Sequence, residues 1–219
     1  RRRPNVALFL RTSLGSISEE HAIADLTTAV HQRTACPRPA GSSPAAKAMG
    51  SLFEHLLSAG DSGGPLGIAL VTQPPGVATP LHRHTHEAEA FFLLDGSMTY
   101  RAGDETFHLS TGDFIWLPAG LPHAFRVTGS TPVRFLGLSS PGGLMALYDE
   151  IGIPALERRL PGADGLSLSD EIARWNEVGP RYGLPVVGPP LPHDSRPAPS
   201  PPPSDPPPPW PRRAARGRR

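Results

Sequence analysis

The 219-residue sequence has a single cysteine, Cys36. That excludes an internal disulfide, a cysteine-ligated zinc and a CxxC redox pair, and it fits a reducing compartment. No apolar run approaches the length of a membrane span. Val6–Leu10, interrupted by Arg11, makes too short an apolar core for a signal peptide. The stretch to Ser18 carries arginine and serine without an acidic residue, a faint likeness to a transit peptide that would make the protein organellar. Chance composition is the preferred reading, so a cytoplasmic location is expected. A basic surface is missing as well. The formal net charge is +1, yet Arg1, Arg2, Arg3, Arg212, Arg213, Arg216, Arg218 and Arg219 are all terminal, which leaves the middle of the chain acidic. Phosphate binding needs a basic face on the folded part, so neither nucleic acid nor a membrane is an expected partner.

What is present divides the chain into three parts. Residues 1–48 form an N-terminal extension in which Ile23, Leu26 and Val30 predict a helix over Ser18–Arg33, followed by the linker-like "ACPRPAGSSPAA". Residues 49–191 read as a domain. Residues 192–219, "PHDSRPAPSPPPSDPPPPWPRRAARGRR", cannot bury a core and are expected to be a disordered tail.

Inside the domain, short β-suited segments alternate with turn signals. "LGIALVT" precedes "QPPG"; "AEAFFLLDG" ends in Asp95-Gly96, a strong hairpin dipeptide; "SMTYRAGDETFHLSTGD" predicts a hairpin turning at Ala102–Asp104. "FIWLPAGLPHAFRVTGSTPVRFLGLSS" supplies further strands. This rhythm predicts an all-β antiparallel sandwich or barrel. Two helices are expected after it. "GGLMALYDEIG" places Leu144, Leu147, Tyr148 and Ile151 on one face before Gly152, and "SLSDEIARWNEVG" opens with serine and acidic residues.

The chemistry concentrates in "GVATPLHRHTHEAEAFFLLDG". His82 and His84 are two apart, so on a strand both face the same way. Glu89 follows after enough residues for a turn into a neighbouring strand, and Phe91 and Leu93 share its face. His123 comes later, after the turn-like "PAGLP". Imidazoles and a carboxylate from different strands converging inside a barrel suit a divalent transition metal. A carboxylate above apolar neighbours is also expected to have a raised proton affinity.

The spacings Gly76-x5-His82-x-His84-x4-Glu89-x6-Gly96 and Gly112-x5-Pro118-x-Gly120-x2-His123 resemble the two signatures of the cupin superfamily. The usual Asn late in the second signature is replaced by Val127. The resemblance runs from about Met49 to Leu191 and is nearest to single-domain, quercetin dioxygenase-like cupins. "SSPGGLMALYDEIGIPA" and "RYGLPVVGPPLP", outside the metal motifs, support it independently.

The resemblance implies a double-stranded β-helix, the jelly-roll or cupin barrel, with flanking helices. It implies that His82, His84, Glu89 and His123 ligate one divalent transition metal, of which iron, manganese, nickel, cobalt, copper and zinc all suit the donor set. It also gives Glu89 a catalytic acid/base role. The motif places His86 and Glu87 in a solvent-exposed turn. Phe91, Leu93 and Phe125 are expected to line an apolar substrate cavity, Phe114 and Trp116 to be core, and His108 to be structural or exposed. The helix at Gly142–Ile151 is expected over one barrel mouth. The implied activity is a metal-dependent dioxygenase cleaving a flavonol or similar enol-bearing aromatic, with the small molecule and dioxygen as partners and a homodimer as a compatible assembly. The alternatives are another cupin enzyme (isomerase, cyclase or decarboxylase) or a non-catalytic small-molecule-binding cupin.

Overall fold

Glycine and proline turns cut the chain into segments of period-two hydrophobicity, and in the computed structural model these pair into two antiparallel sheets. Residues 35–162 and 167–192 are described; the expected helix at Ser18–Arg33 and the proline-rich tail lie outside them. The strands are β1 (Ala45–Ala48), β2 (Ser51–Leu57), β3 (Gly67–Gln73), β4 (Pro80–His82), β5 (Ala88–Asp95) and β6 (Ser97–Ala102). They continue with β7 (Glu105–Ser110), β8 (Phe114–Leu117), β9 (His123–Val127), β10 (Val133–Ser140), β11 (Ile153–Pro154) and β12 (Val186–Pro190). The large sheet has the order β11–β1–β2–β3–β10–β5–β8 and the small one β12–β4–β9–β6–β7. This is the all-β jelly roll expected. β1 takes up residues that composition assigned to the linker, because Ala45–Ala48 pair with β2.

Turn chemistry positions the strands. Gly103, at φ +60, closes the β6–β7 hairpin where expected, with Ala102 opposite Glu105. Asp95-Gly96 acts differently from a hairpin. Gly96 adopts φ +83, but the strands it joins belong to different sheets, so the turn carries the chain across the sandwich. A side chain at Gly96 would also lie 3.0 Å from the Val133 backbone.

Two helices cover one end of the barrel. α1 (Leu144–Ile151) buries Leu144, Met145, Leu147, Tyr148 and Ile151. α2 (Leu168–Val178) starts at Ser167, whose hydroxyl accepts a hydrogen bond from Asp170 N–H, as its serine and acidic opening predict. The fully buried Trp175 of α2 donates from Nε1 to Leu184 O at 3.0 Å and packs edge-on to His82, ring centres 4.8 Å apart.

The core lies between the sheets, formed by Val71, Leu93, Tyr100, Val127 and Phe135 among others. Phe114 and Trp116 are not in it. They are 57% and 54% exposed, because β8 is an edge strand and alternation gives its inward positions to Ile115 and Leu117. Parity within β8 is ambiguous from sequence, since all four of its residues are apolar.

Trp175→Ala removes both the α2 anchor and the packing on His82. The expected loss is about 3–5 kcal/mol of stability, read from chemical denaturation.

Candidate metal centre

His82 and His123 are directly opposed across β4 and β9 in the small sheet. Glu89 faces them from β5 in the large sheet, between Ser139 of β10 and Leu117 of β8. His84 lies two residues beyond the end of β4 and keeps its inward direction. One ligand atom from each of these four buried residues lies within 4.8 Å of the others. The structure thus brings together the four residues that the motifs single out, from both sheets.

Hydrogen bonds set the tautomers. His82 Nδ1 lies 2.8 Å from Pro80 O, and His123 Nδ1 lies 2.9 Å from Leu121 O. A carbonyl only accepts, so each Nδ1 carries the hydrogen, and a neutral ring presents a bare Nε2 lone pair inward. His84 Nε2 and His123 Nε2 each lie 3.1 Å from Glu89 Oε2. Bare lone pairs facing a carboxylate at that distance repel unless a cation lies among them. A proton or a metal ion fills that requirement, so the donor set fits a divalent transition metal.

Proton affinities follow from the crowding. Burial, and then the neighbouring His123 and His84, push His82 down to about 3. Burial opposes protonation of His84 too, but Glu89 and Glu87 outweigh it and raise His84 to about 9. For Glu89, burial pushes upward, yet His84 and His123 together hold the carboxyl well below the ordinary carboxylate range. This corrects the raised affinity expected from its apolar neighbours: the imidazoles dominate.

Glu87 is a second correction. It was expected in solvent and is only 7% exposed. Its Oε2 lies 3.5 Å from His84 Nδ1, and neither atom has a hydrogen-bond partner. Its other oxygen sits against Gly143, the residue before α1, where any Cβ would come within 2.9 Å. Glu87 therefore stands behind His84 as the Pro80 and Leu121 carbonyls stand behind the other two histidines. His86 and His108 are exposed, as expected.

A cavity of about 30 Å³ adjoins the cluster. His82, Glu89 and His123 form one part of its wall, and Phe91, Phe125 and Phe135 another. Leu93 is not on that wall; it is fully buried further along β5, in the packed core. Leu144, Met145 and Tyr148 of α1 line the cavity, as a helix over the barrel mouth requires. Sequence reading missed Trp175 and Gln73, which also line it. Nothing local marks Trp175, whereas Gln73 is the polar residue on the inward parity of β3, a signal that was available.

Residues 69–139 match the cupin domain family. An uncharacterized protein of Methanocaldococcus jannaschii is 30% identical over 93 residues, 42% of this chain and 74% of that protein. The quercetin 2,3-dioxygenase of Bacillus subtilis is 34% identical over 87 residues, 40% of this chain. The chain spans only 26% of that relative's length. A structure titled a predicted oxalate decarboxylase from Thermotoga maritima is 23% identical with a TM-score of 0.45, covering 49% of this chain and 99% of that one. The chain belongs to the cupin superfamily.

Metal uptake must displace the His84 proton below pH 9. Apparent affinity for zinc, measured by competition with a chelator, is therefore expected to rise about tenfold per pH unit up to that point and flatten above it. Glu87→Gln removes one of the two carboxylates that raise His84 and moves the break to lower pH. An affinity independent of pH between 6 and 8 contradicts this.

Proposed function

We propose that the chain is a metal-dependent dioxygenase that oxidatively cleaves a flavonol or a similar enol-bearing aromatic. The observation that carries this is a four-donor cluster opening onto a cavity walled by aromatic rings. The likeness to a protein named quercetin 2,3-dioxygenase points the same way. His82, His84, Glu89 and His123 would hold the metal. When bound, it supplies an open coordination position for an enolate oxygen and access to dioxygen chemistry.

The chain's own residues do the rest. The carbonyls of Pro80 and Leu121 keep hydrogen on the outer nitrogens of two histidines, so their inner nitrogens stay available. Glu89, held ionised, accepts a hydroxyl proton at a carboxylate oxygen. Phe91 and Phe125, packed edge-to-face with ring centres 6.3 Å apart, give a flat ring an apolar wall and exclude water, while Leu93 supports them from the core.

Pockets for drug-sized ligands span roughly 300–1,000 Å³. At about 30 Å³ this cavity accepts a three-ring substrate only when side chains of α1 give way. Met145, unbranched and adaptable, is the one best suited to do so. The same volume favours a second reading: a cupin that binds a small compound, or an isomerase, cyclase or decarboxylase acting on one.

Oxygen uptake with quercetin, after reconstitution with iron, manganese, nickel, cobalt, copper or zinc, separates the two. Uptake is expected in at least one metal form and is lost, with the metal, in His123→Ala. Met145→Ala is expected to raise kcat/KM for quercetin several-fold. No uptake in any metal form leaves the second reading.

A further inference from the structure

Gln73 is 2% exposed, and its Oε1 is buried without a hydrogen-bond partner. The described residues hold other buried polar atoms of that kind, on Arg38, His55, His84, Glu87, Tyr100 and Ser139, but Gln73 alone among these residues lines the cavity. It sits at the end of β3, on an inward stripe otherwise made of Gly67, Ala69 and Val71. An apolar side chain would complete that stripe without cost, whereas an orphaned buried amide weakens the fold. The group that relieves it must come from the cavity.

The cavity wall also carries a hydroxyl. Thr79 lines the cavity, and its hydroxyl accepts from Phe125 N–H at 3.1 Å, which leaves its own hydrogen free to donate. Gln73 and Glu89 lie at opposite ends of the inward surface of the large sheet: β10 pairs its first residue, Val133, with Gln73 and its seventh, Ser139, with Glu89. Phe91 and Phe135 lie between them along these strands.

We propose that Gln73 binds a hydroxyl on the part of the substrate remote from the metal cluster, so that the ligand is a polyhydroxylated aromatic. A hydroxyl both donates and accepts, so it satisfies the amide in either orientation. A site built to pair a substrate hydroxyl discriminates strongly against the analogue that lacks it, because the analogue leaves the amide unpaired. This assignment rests on the flavonol reading above.

The test compares quercetin with 3-hydroxyflavone, which keeps the enol but lacks the ring hydroxyls. Dissociation constants are measured by fluorescence quenching for the metal-loaded wild type and Gln73→Leu. The wild type is expected to bind quercetin about tenfold more tightly, a preference that falls to near one in Gln73→Leu. Without ligand, Gln73→Leu is expected to melt at a higher temperature, since it removes the orphan. A preference equal in both proteins, as when the amide's partner is only an ordered water, overturns the assignment and leaves the flavonol reading standing. Binding of neither compound to either protein overturns both.

Discussion

The structure turns on one contact, the Glu89 carboxylate held at 3.1 Å from two imidazoles inside the barrel. An isolated charge buried there would be prohibitive, and the histidines compensate it only if the two sheets meet at the right separation. Glu89 belongs to the large sheet, His82 and His123 to the small one, and His84 to the loop that leaves it. The cluster is therefore a tie across the sandwich as well as a set of ligands. It also explains why the polar centre sits beside an aromatic core: the strands that deliver the donors deliver Phe91 and Phe125 two residues further on.

The surroundings of the centre are graded. Backbone carbonyls orient His82 and His123, a fixed arrangement that ordinary strand geometry provides. His84 has no such carbonyl and is backed by Glu87, a carboxylate wedged against the start of α1. Because α1 also closes the cavity through Met145 and Tyr148, the helix that shapes ligand entry touches the residue behind one of the ligands. The small cavity, the helix over it and the unpaired Oε1 of Gln73 all lie beside the metal-ligand cluster.

Much of this was legible in the sequence. Glycine and proline punctuation with period-two segments foretold the antiparallel jelly roll, and the two spaced motifs foretold which four donors converge. Two kinds of error remained. Strand parity failed at β8, where "FIWL" offers no polar residue to mark the outside, so Phe114 and Trp116 were assigned to a core they do not enter. Neighbour-based reasoning failed at Glu89 and Glu87. Adjacent residues in sequence suggested an apolar setting for the first and solvent for the second, but residues distant in sequence govern both.

The sequence by itself determined the alternation, the turns and the ligand types at their spacing, because those depend on local backbone geometry and chemistry. Only the tertiary structure decided the charge state of the centre, the burial of Glu87, the size of the cavity and the residues from α1, α2 and β3 that complete it. Those depend on distances between segments that the chain separates by tens of residues. A side chain's proton affinity and its room to move are set by what lies within a few ångströms, and folding alone chooses those neighbours.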